Sequence, residues 1–184
     1  MRVIHDAEAN GPDNMARDVA LLASLGEEVI LRTYLWAGPW VSYGYFQSAE
    51  EASSHFPDVP AVRRPTGGGL VDHRCDFTYS LFFPKTHPFS RQERARSYAL
   101  VHASLLPALR EHGLRARLIE QEEGGGPACF AHPVPGDIVD EQGRKLAGAA
   151  QRRTRDGLLH QGSLLINAEP TSFRTSLERA LHSI

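Results

Sequence analysis

Apolar positions change period several times along the chain, and each change predicts an element. Met15, Val19, Leu22 and Leu25 recur at spacings of four, three and three. That is one stripe of an α-helix. It predicts a helix over Asp13–Leu25, with Asp13 or Asn14 as N-cap and Gly26 as its stop. The next two segments, Val29–Trp36 and Val41–Phe46, are rich in β-branched and aromatic residues and are broken by Ala37-Gly38-Pro39. They predict strands. Ala61–Arg64 reads as a short strand ending at Pro65, and Phe77–Phe83 as a longer one ending at Pro84.

Helical spacing returns at Ser90. Ser90 and Glu93 stand at capping-box distance, and Tyr98, Val101, Leu105 and Leu109 continue as a stripe up to Gly113. Pro107 inside this run predicts a kink or a split. Arg115–Glu120 reads as a strand and Gly124-Gly125-Gly126-Pro127 as a loop. Gly136–Glu141 and Arg144–Gln151 predict a hairpin about Gly143, and Leu158–Ile166 a further strand. Phe173, Leu177, Leu181 and Ile184 mark a terminal helix. The order αββββαββββα lacks regular βαβ alternation and predicts an α+β fold with a mixed, mostly antiparallel sheet.

Composition narrows the function classes. A chain of 184 residues suits one domain with its own core. With 20 Lys and Arg against 22 Asp and Glu, there is no basic face for bulk nucleic-acid binding. Two cysteines, Cys75 and Cys129, exclude a disulfide framework and predict a reducing, cytoplasmic setting. Cys75, beside a strand, reads as structural. No apolar run approaches the roughly 20 residues of a membrane helix, and no secretory h-region is present. Neither nucleic acid nor membrane is expected as a partner.

Three segments carry candidate chemistry. In Arg63-Arg64-Pro65-Thr66-Gly67-Gly68-Gly69, the glycines let backbone N–H groups approach an anionic oxygen, and the arginines add fixed positive charge. A flexible turn beside a solvated basic pair explains the same residues equally well. No Gly-Lys-Ser/Thr follows, so this is not a P-loop. In Gly143–Gln151, strict alternation puts Lys145, Ala147 and Ala149 on one face and Leu146, Gly148 and Ala150 on the other. Small residues after Lys145 suit close approach of a ligand, and a hairpin with an exposed lysine is the plainer alternative. Cys129, after the glycine loop, is either a buried small hydrophobe or a nucleophile activated by a nearby cation. The nine histidines make no HExxH or paired Cys-His spacing, so no metal site is expected.

Taken together, the motifs resemble the biotin/lipoate protein ligase catalytic-domain family, in its lipoate-protein ligase and octanoyltransferase branch. Asn14–Leu22 is similar to the family's NMAxDExLL helix, with Val19 where Glu is usual. Leu31–Trp36 and Val41–Gln47 resemble its LRxYxW and vSxGxxQ strands. Arg63–His73 resembles the RRxxGGGxVxH loop, Gly143–Gln151 the GxKxxGxAQ strand, and Leu159–Leu165 the hHGxLL strand. The resemblance implies a central mixed sheet flanked by helices, with residues 1–184 forming a single catalytic-type domain without an accessory C-terminal domain. It implies acyl transfer to a lysine of a lipoyl carrier domain. Lys145 and Cys129 are then the catalytic residues. Arg64, Thr66, Gly67, Gly68, Gly69, His73, Gly148, Ala149 and His160 bind substrate. A ligase uses ATP and Mg2+ to activate lipoate or octanoate as an acyl-adenylate, and Cys129 is dispensable to it. A transferase needs no cofactor and passes octanoyl from an acyl-carrier protein through a Cys129 thioester. The intact Gly69 places the ligase first, with an accessory ligase subunit as a further partner. Ala128-Cys129-Phe130 speaks for the transferase. A non-catalytic subunit that binds the acyl group or the carrier is the third reading.

Overall fold

The computed structural model describes residues 1–120, 133–166, 169–182 and 184. Its elements, in chain order, are β1 (Arg2–His5), α1 (Gly11–Ala23), β2 (Ile30–Tyr34), β3 (Val41–Tyr43), α2 (Ala49–His55), β4 (Ala61–Arg63), β5 (Val71–Asp72), β6 (Phe77–Pro84), α3 (Pro88–Arg91), α4 (Arg94–Glu111), β7 (Ala116–Leu118), β8 (Ile138–Asp140), β9 (Lys145–Arg153), β10 (Gly157–Leu164) and α5 (Pro170–Leu181). One sheet runs β1-β2-β6-β10-β9-β8-β7, and a smaller one runs β4-β3-β5. Among the described residues, only the β1–β2 pairing in the large sheet is parallel. The mixed, mostly antiparallel α+β architecture agrees with the residue pattern. No helix of the described residues is long and apolar enough to cross a membrane.

β6 and β10 are buried along their whole length, and their two faces differ in chemistry. One face carries Leu31, Phe77, Leu81, Leu158 and Leu164, which pack with Leu105 and Leu109 of α4 and Phe173 and Leu177 of α5. On the other face, Ile30, Phe82 and Leu159 pack under Leu22 of α1. The rest of that second face is polar: Arg32, Thr78, Ser80, Gln161 and Ser163, all buried. The candidate site lies on this polar half.

Several boundaries depart from the pattern for identifiable reasons. Asn10, rather than Asp13 or Asn14, caps α1 by accepting from the Asp13 N–H at 2.9 Å. Asn14 points inward and donates to the carbonyls of Ala9 and Leu35. The apolar stripe of α1 is not its buried face: Val19 is 49% exposed while Asp18 is fully buried. The cause is Arg32, whose buried guanidinium needs Asp18 at 2.6 Å and Asp6 at 2.7 Å. A charge so buried is tolerated only when paired and hydrogen-bonded. The Ser90–Glu93 capping box does not form. Ser90 ends up in the separate α3 and donates to the Phe83 carbonyl, while Glu93 is an N-cap without a side-chain bond. α4 runs unbroken through Pro107. Burial of Leu105, Ala108 and Leu109 outweighs the lost hydrogen bond. Cys75 is an exposed thiol rather than a structural one. β1, α2 and β5 are not foreshadowed by the residue pattern.

Two buried histidines make stability pH-dependent. Burial pushes His102 down to about 4 and holds His160 well below the usual imidazole range. Below about pH 6.5 the unfolded chain protonates these positions, whereas the folded chain refuses the proton, at His102 until about pH 4. The unfolded state therefore binds more protons in that window, and stability falls as pH falls, by about 3 kcal/mol for His102 alone. Thermal denaturation at several pH values checks this. Tm should drop toward acid pH, and drop less in His102→Gln.

Candidate active site

A partly open cavity lies between the polar half of the large sheet and the small sheet. Its floor follows from strand register. Gly148 of β9 stands opposite Ser163 of β10, Ser163 opposite Thr78 of β6, and Thr78 opposite Tyr34 of β2. Three strand spacings make this floor roughly 14 Å across. Met15, Trp36, Ser42, Arg64, Gly68 and His73 line the remaining sides.

Lys145 reaches this cavity because β9 is irregular. Ala147 pairs with Ile138, but Lys145 pairs with Val139, so β9 carries one extra residue between them. Such a bulge reverses the side-chain alternation beyond it. It turns Lys145 onto the face of Gly148 rather than that of Ala147, which lies in the helix-side core. A Cβ on Gly148 would meet Lys145 Cε and Nζ, so the lysine chain lies directly over this glycine and would have to move aside for any larger residue. The Lys145 side chain is 7% exposed and its Nζ is 2.7 Å from Asp137 Oδ2. The alternative of an exposed hairpin lysine is therefore excluded.

Asp137 is held in turn. Tyr98 of α4 donates to Asp137 Oδ1 at 2.5 Å and accepts from the Ala149 N–H at 2.8 Å. Because β8 begins at Ile138, opposite Ala147, Ala149 has no strand partner on that side, and the tyrosine takes the place of one. Burial, reinforced by Asp137, raises the Tyr98 hydroxyl well above its ordinary pKa and keeps it a neutral donor. Val134 N–H also donates to Asp137.

The glycine loop is organised from beneath. Arg64 donates to the carbonyls of Gly67 and Gly69 and, through Nη1, to Ser42 O and Oγ. Its guanidinium thus shapes the loop as well as bordering the cavity. Gly68 has φ +85°, and its carbonyl lies where a Cβ on Gly44 would sit. The loop therefore requires glycine at both places. Thr66 donates to Gln161 Oε1 at 2.6 Å, and Gln161 donates to Asp18 at 2.7 Å. Loop, floor and the Asp18–Arg32 pair are one hydrogen-bonded unit.

The end of the cavity away from β9 is closed by rings. Trp36 and His73 stack with centroids 3.9 Å apart. Trp36 Nε1 donates to Thr78 Oγ1, while His73 sits between Asp76 and Ser42 at 2.7 Å each. Asp76 Oδ2 also accepts from Ser163 and Thr78. These bonds fix both rings.

Of the residues anticipated from sequence, Lys145, Arg64, Gly68, His73, Gly148 and Ala149 come together on the cavity wall. Thr66, Gly67 and Gly69 are joined to it through Gln161 and Arg64. His160 is elsewhere. It lies on the opposite face of the sheet, fully buried, hydrogen-bonded to Tyr79 and Gln151. Cys129 lies outside the described residues. Sequence reasoning missed Asp137, Tyr98 and Gln161. The hairpin about Gly143 could have pointed to Asp137, since its register carries that residue past Ile138 toward Gly148.

Comparison with known proteins agrees with this architecture. The model of the lipoyl protein ligase A/B catalytic domain matches residues 10–183. Octanoyltransferase LipM of Kyrpidia tusciae is 35% identical over 185 residues, covering 92% of this chain and 67% of that protein. The chain spans about two thirds of the length of the curated relatives it matches. Protein Ta0514 of T. acidophilum with bound lipoic acid superposes with a TM-score of 0.79 at 21% identity, over 99% of this chain and 84% of that one. A lipoate-protein ligase A bound with ATP gives 0.78 at 22% identity, with the same coverage. Both share the fold. By a sequence match along nearly its whole length, this chain belongs to the lipoyl protein ligase A/B catalytic-domain family.

Proposed function

We propose that this chain transfers an octanoyl or lipoyl group to a lysine of a lipoyl carrier domain. The observation that carries the proposal is the buried Lys145, aimed by Asp137 across Gly148 into the cavity. In the route we favour, the Cys129 thiolate attacks the carbonyl of an acyl thioester. A C–S bond to Cys129 forms as the donor's C–S bond breaks, and the departing donor sulfur takes up the proton that the Cys129 thiol had given up. The carrier lysine amine then attacks the enzyme thioester and releases Cys129. Each attack builds negative charge on the carbonyl oxygen, and the Lys145 ammonium is the group that stabilises it. A preorganised donor in a closed site is worth more there than in water. Apolar walls at Met15, Trp36 and Val71 receive the acyl chain.

The motifs alone put an ATP-dependent ligase first. The name octanoyltransferase shared by the relatives supports reversing that order. The fold held in common with an ATP-bound ligase keeps adenylation as the second reading. One assay separates them. The protein is incubated with an unmodified lipoyl domain and either octanoyl-carrier protein alone or octanoate with Mg-ATP, and the domain is weighed. Octanoylation without ATP is the expected result. Octanoylation only with ATP makes the chain a ligase, and none in either arm leaves an acyl-binding subunit.

Tyr98 is proposed as a positioning residue for Lys145. Tyr98→Phe removes a donor to Asp137 and strands the Ala149 N–H, a loss of about 1–3 kcal/mol in stability. The turnover rate should fall about tenfold if part of that energy is expressed in the transition state. KM for the lipoyl domain should stay within a few fold, because Tyr98 does not touch the carrier. Steady-state kinetics against carrier concentration checks this.

A further inference from the structure

The outer surface beside the cavity combines features that no acyl-binding role uses. Val19, which the stripe of α1 should bury, is 49% exposed, and nearby Tyr45 and Phe46 are 43% and 90% exposed. The guanidinium carbons of Arg63 and Arg152 each lie 5.3 Å from the centre of the Tyr45 ring. Two like charges thus converge on one aromatic ring. Among the described residues neither forms an ion pair, and Arg152 only donates to the Pro65 carbonyl. Converging cations without a carboxylate repel each other, and an anionic partner relieves that repulsion.

Two observations say what kind of partner this is. A small anion would need the arginines but would leave Val19 and Phe46 in water. A protein surface with acidic groups around an apolar spot covers both, which is the make-up of interfaces steered by charge and anchored by aromatics. The groove is also continuous with the cavity. Met15 and Arg64 line both, and the Tyr45 N–H donates to the Thr66 carbonyl of the glycine loop at 2.8 Å. A protein seated here stands next to the acyl site.

We infer that Val19, Tyr45, Phe46, Arg63 and Arg152 form the docking surface for an acidic carrier domain that presents its acceptor lysine to the cavity. This inference rests on the proposed acyl transfer for the identity of the partner. The surface itself is read by binding rather than by turnover.

The experiment titrates an unmodified, acidic lipoyl domain into the wild-type protein and into the double variant Arg63→Glu/Arg152→Glu. Phe46→Ser, a change at an almost fully exposed position, is the second variant should the double variant fold poorly. The expected result is a carrier Kd weakened at least tenfold in the variants, with octanoate affinity unchanged. Wild-type Kd should rise severalfold between about 50 and about 200 mM NaCl, as screening requires. In turnover, KM for the carrier rises and kcat stays within a few fold. Equal carrier affinity in wild type and variants overturns the inference, as does a salt-independent wild-type Kd. A change in sedimentation without a change in carrier affinity also overturns it and assigns the face to a second copy of this chain. If the wild type binds the carrier in this charge-dependent way but acylates nothing, docking stands and the proposed activity fails.

Discussion

Lys145→Ala should abolish acyl transfer while leaving a folded protein. The substitution removes the ammonium from the cavity wall, where Gly148 and Asp137 hold it. A charge-assisted hydrogen bond contributes about 1.5–3 kcal/mol. Loss of one donor to a developing oxyanion typically costs about 100- to 1,000-fold in rate. Asp137 keeps its bonds from Tyr98 and Val134 but is left fully buried without its cation, so stability should fall by about 3–5 kcal/mol, and activity is compared at a temperature where the variant is folded. Octanoate binding should change within a few fold, because the walls proposed to receive the acyl chain, Met15, Trp36 and Val71, are not part of β9. Lys145→Arg is the sharper variant. It keeps the charge, but a planar fork does not replace an ammonium folded over Gly148, and activity should remain far below wild type. Transfer within a few fold of wild type in Lys145→Ala would remove this residue from the chemistry.

The second large effect concerns Cys129. Cys129→Ser is nearly isosteric but lacks most of the thiol's nucleophilicity. ATP-independent transfer should fall by orders of magnitude, and the acyl adduct expected on the wild type should be absent. Cys75→Ser is the control: that thiol is exposed, beside Arg74, with no part in the cavity, and the variant should keep activity within a few fold. Transfer that survives Cys129→Ser and requires Mg-ATP would establish the ligase route instead.

Much of this site is legible along the chain because it is built from contiguous motifs. The Arg63–Gly69 loop, the small residues after Lys145 and the strands that carry Thr78 and Ser163 all declare themselves by local composition. What escapes is what depends on register and on partners far away in sequence. Alternation puts Lys145 on the face of Ala147, and only the bulge opposite Ile138 and Val139 corrects it. The α1 stripe assigns Val19 to the core, and only the buried Arg32 explains why Asp18 takes its place. β1 is a four-residue edge strand whose one strand partner among the described residues is β2, nearly thirty residues on, so no local period marks it. His160 illustrates the opposite error. Its motif is right, but a one-residue step along β10 separates the cavity face of Gln161 from the core face of His160.

The central claim, that the acyl group passes through this protein to a lysine, is tested most directly by a single-turnover mass measurement. The protein is charged with octanoyl-carrier protein, freed of donor, and mixed with an unmodified lipoyl domain without ATP. The account predicts that an octanoyl adduct on Cys129 disappears as the same mass appears on the lysine of the domain. An adduct that never forms, or one that persists while the domain stays unmodified, would contradict it.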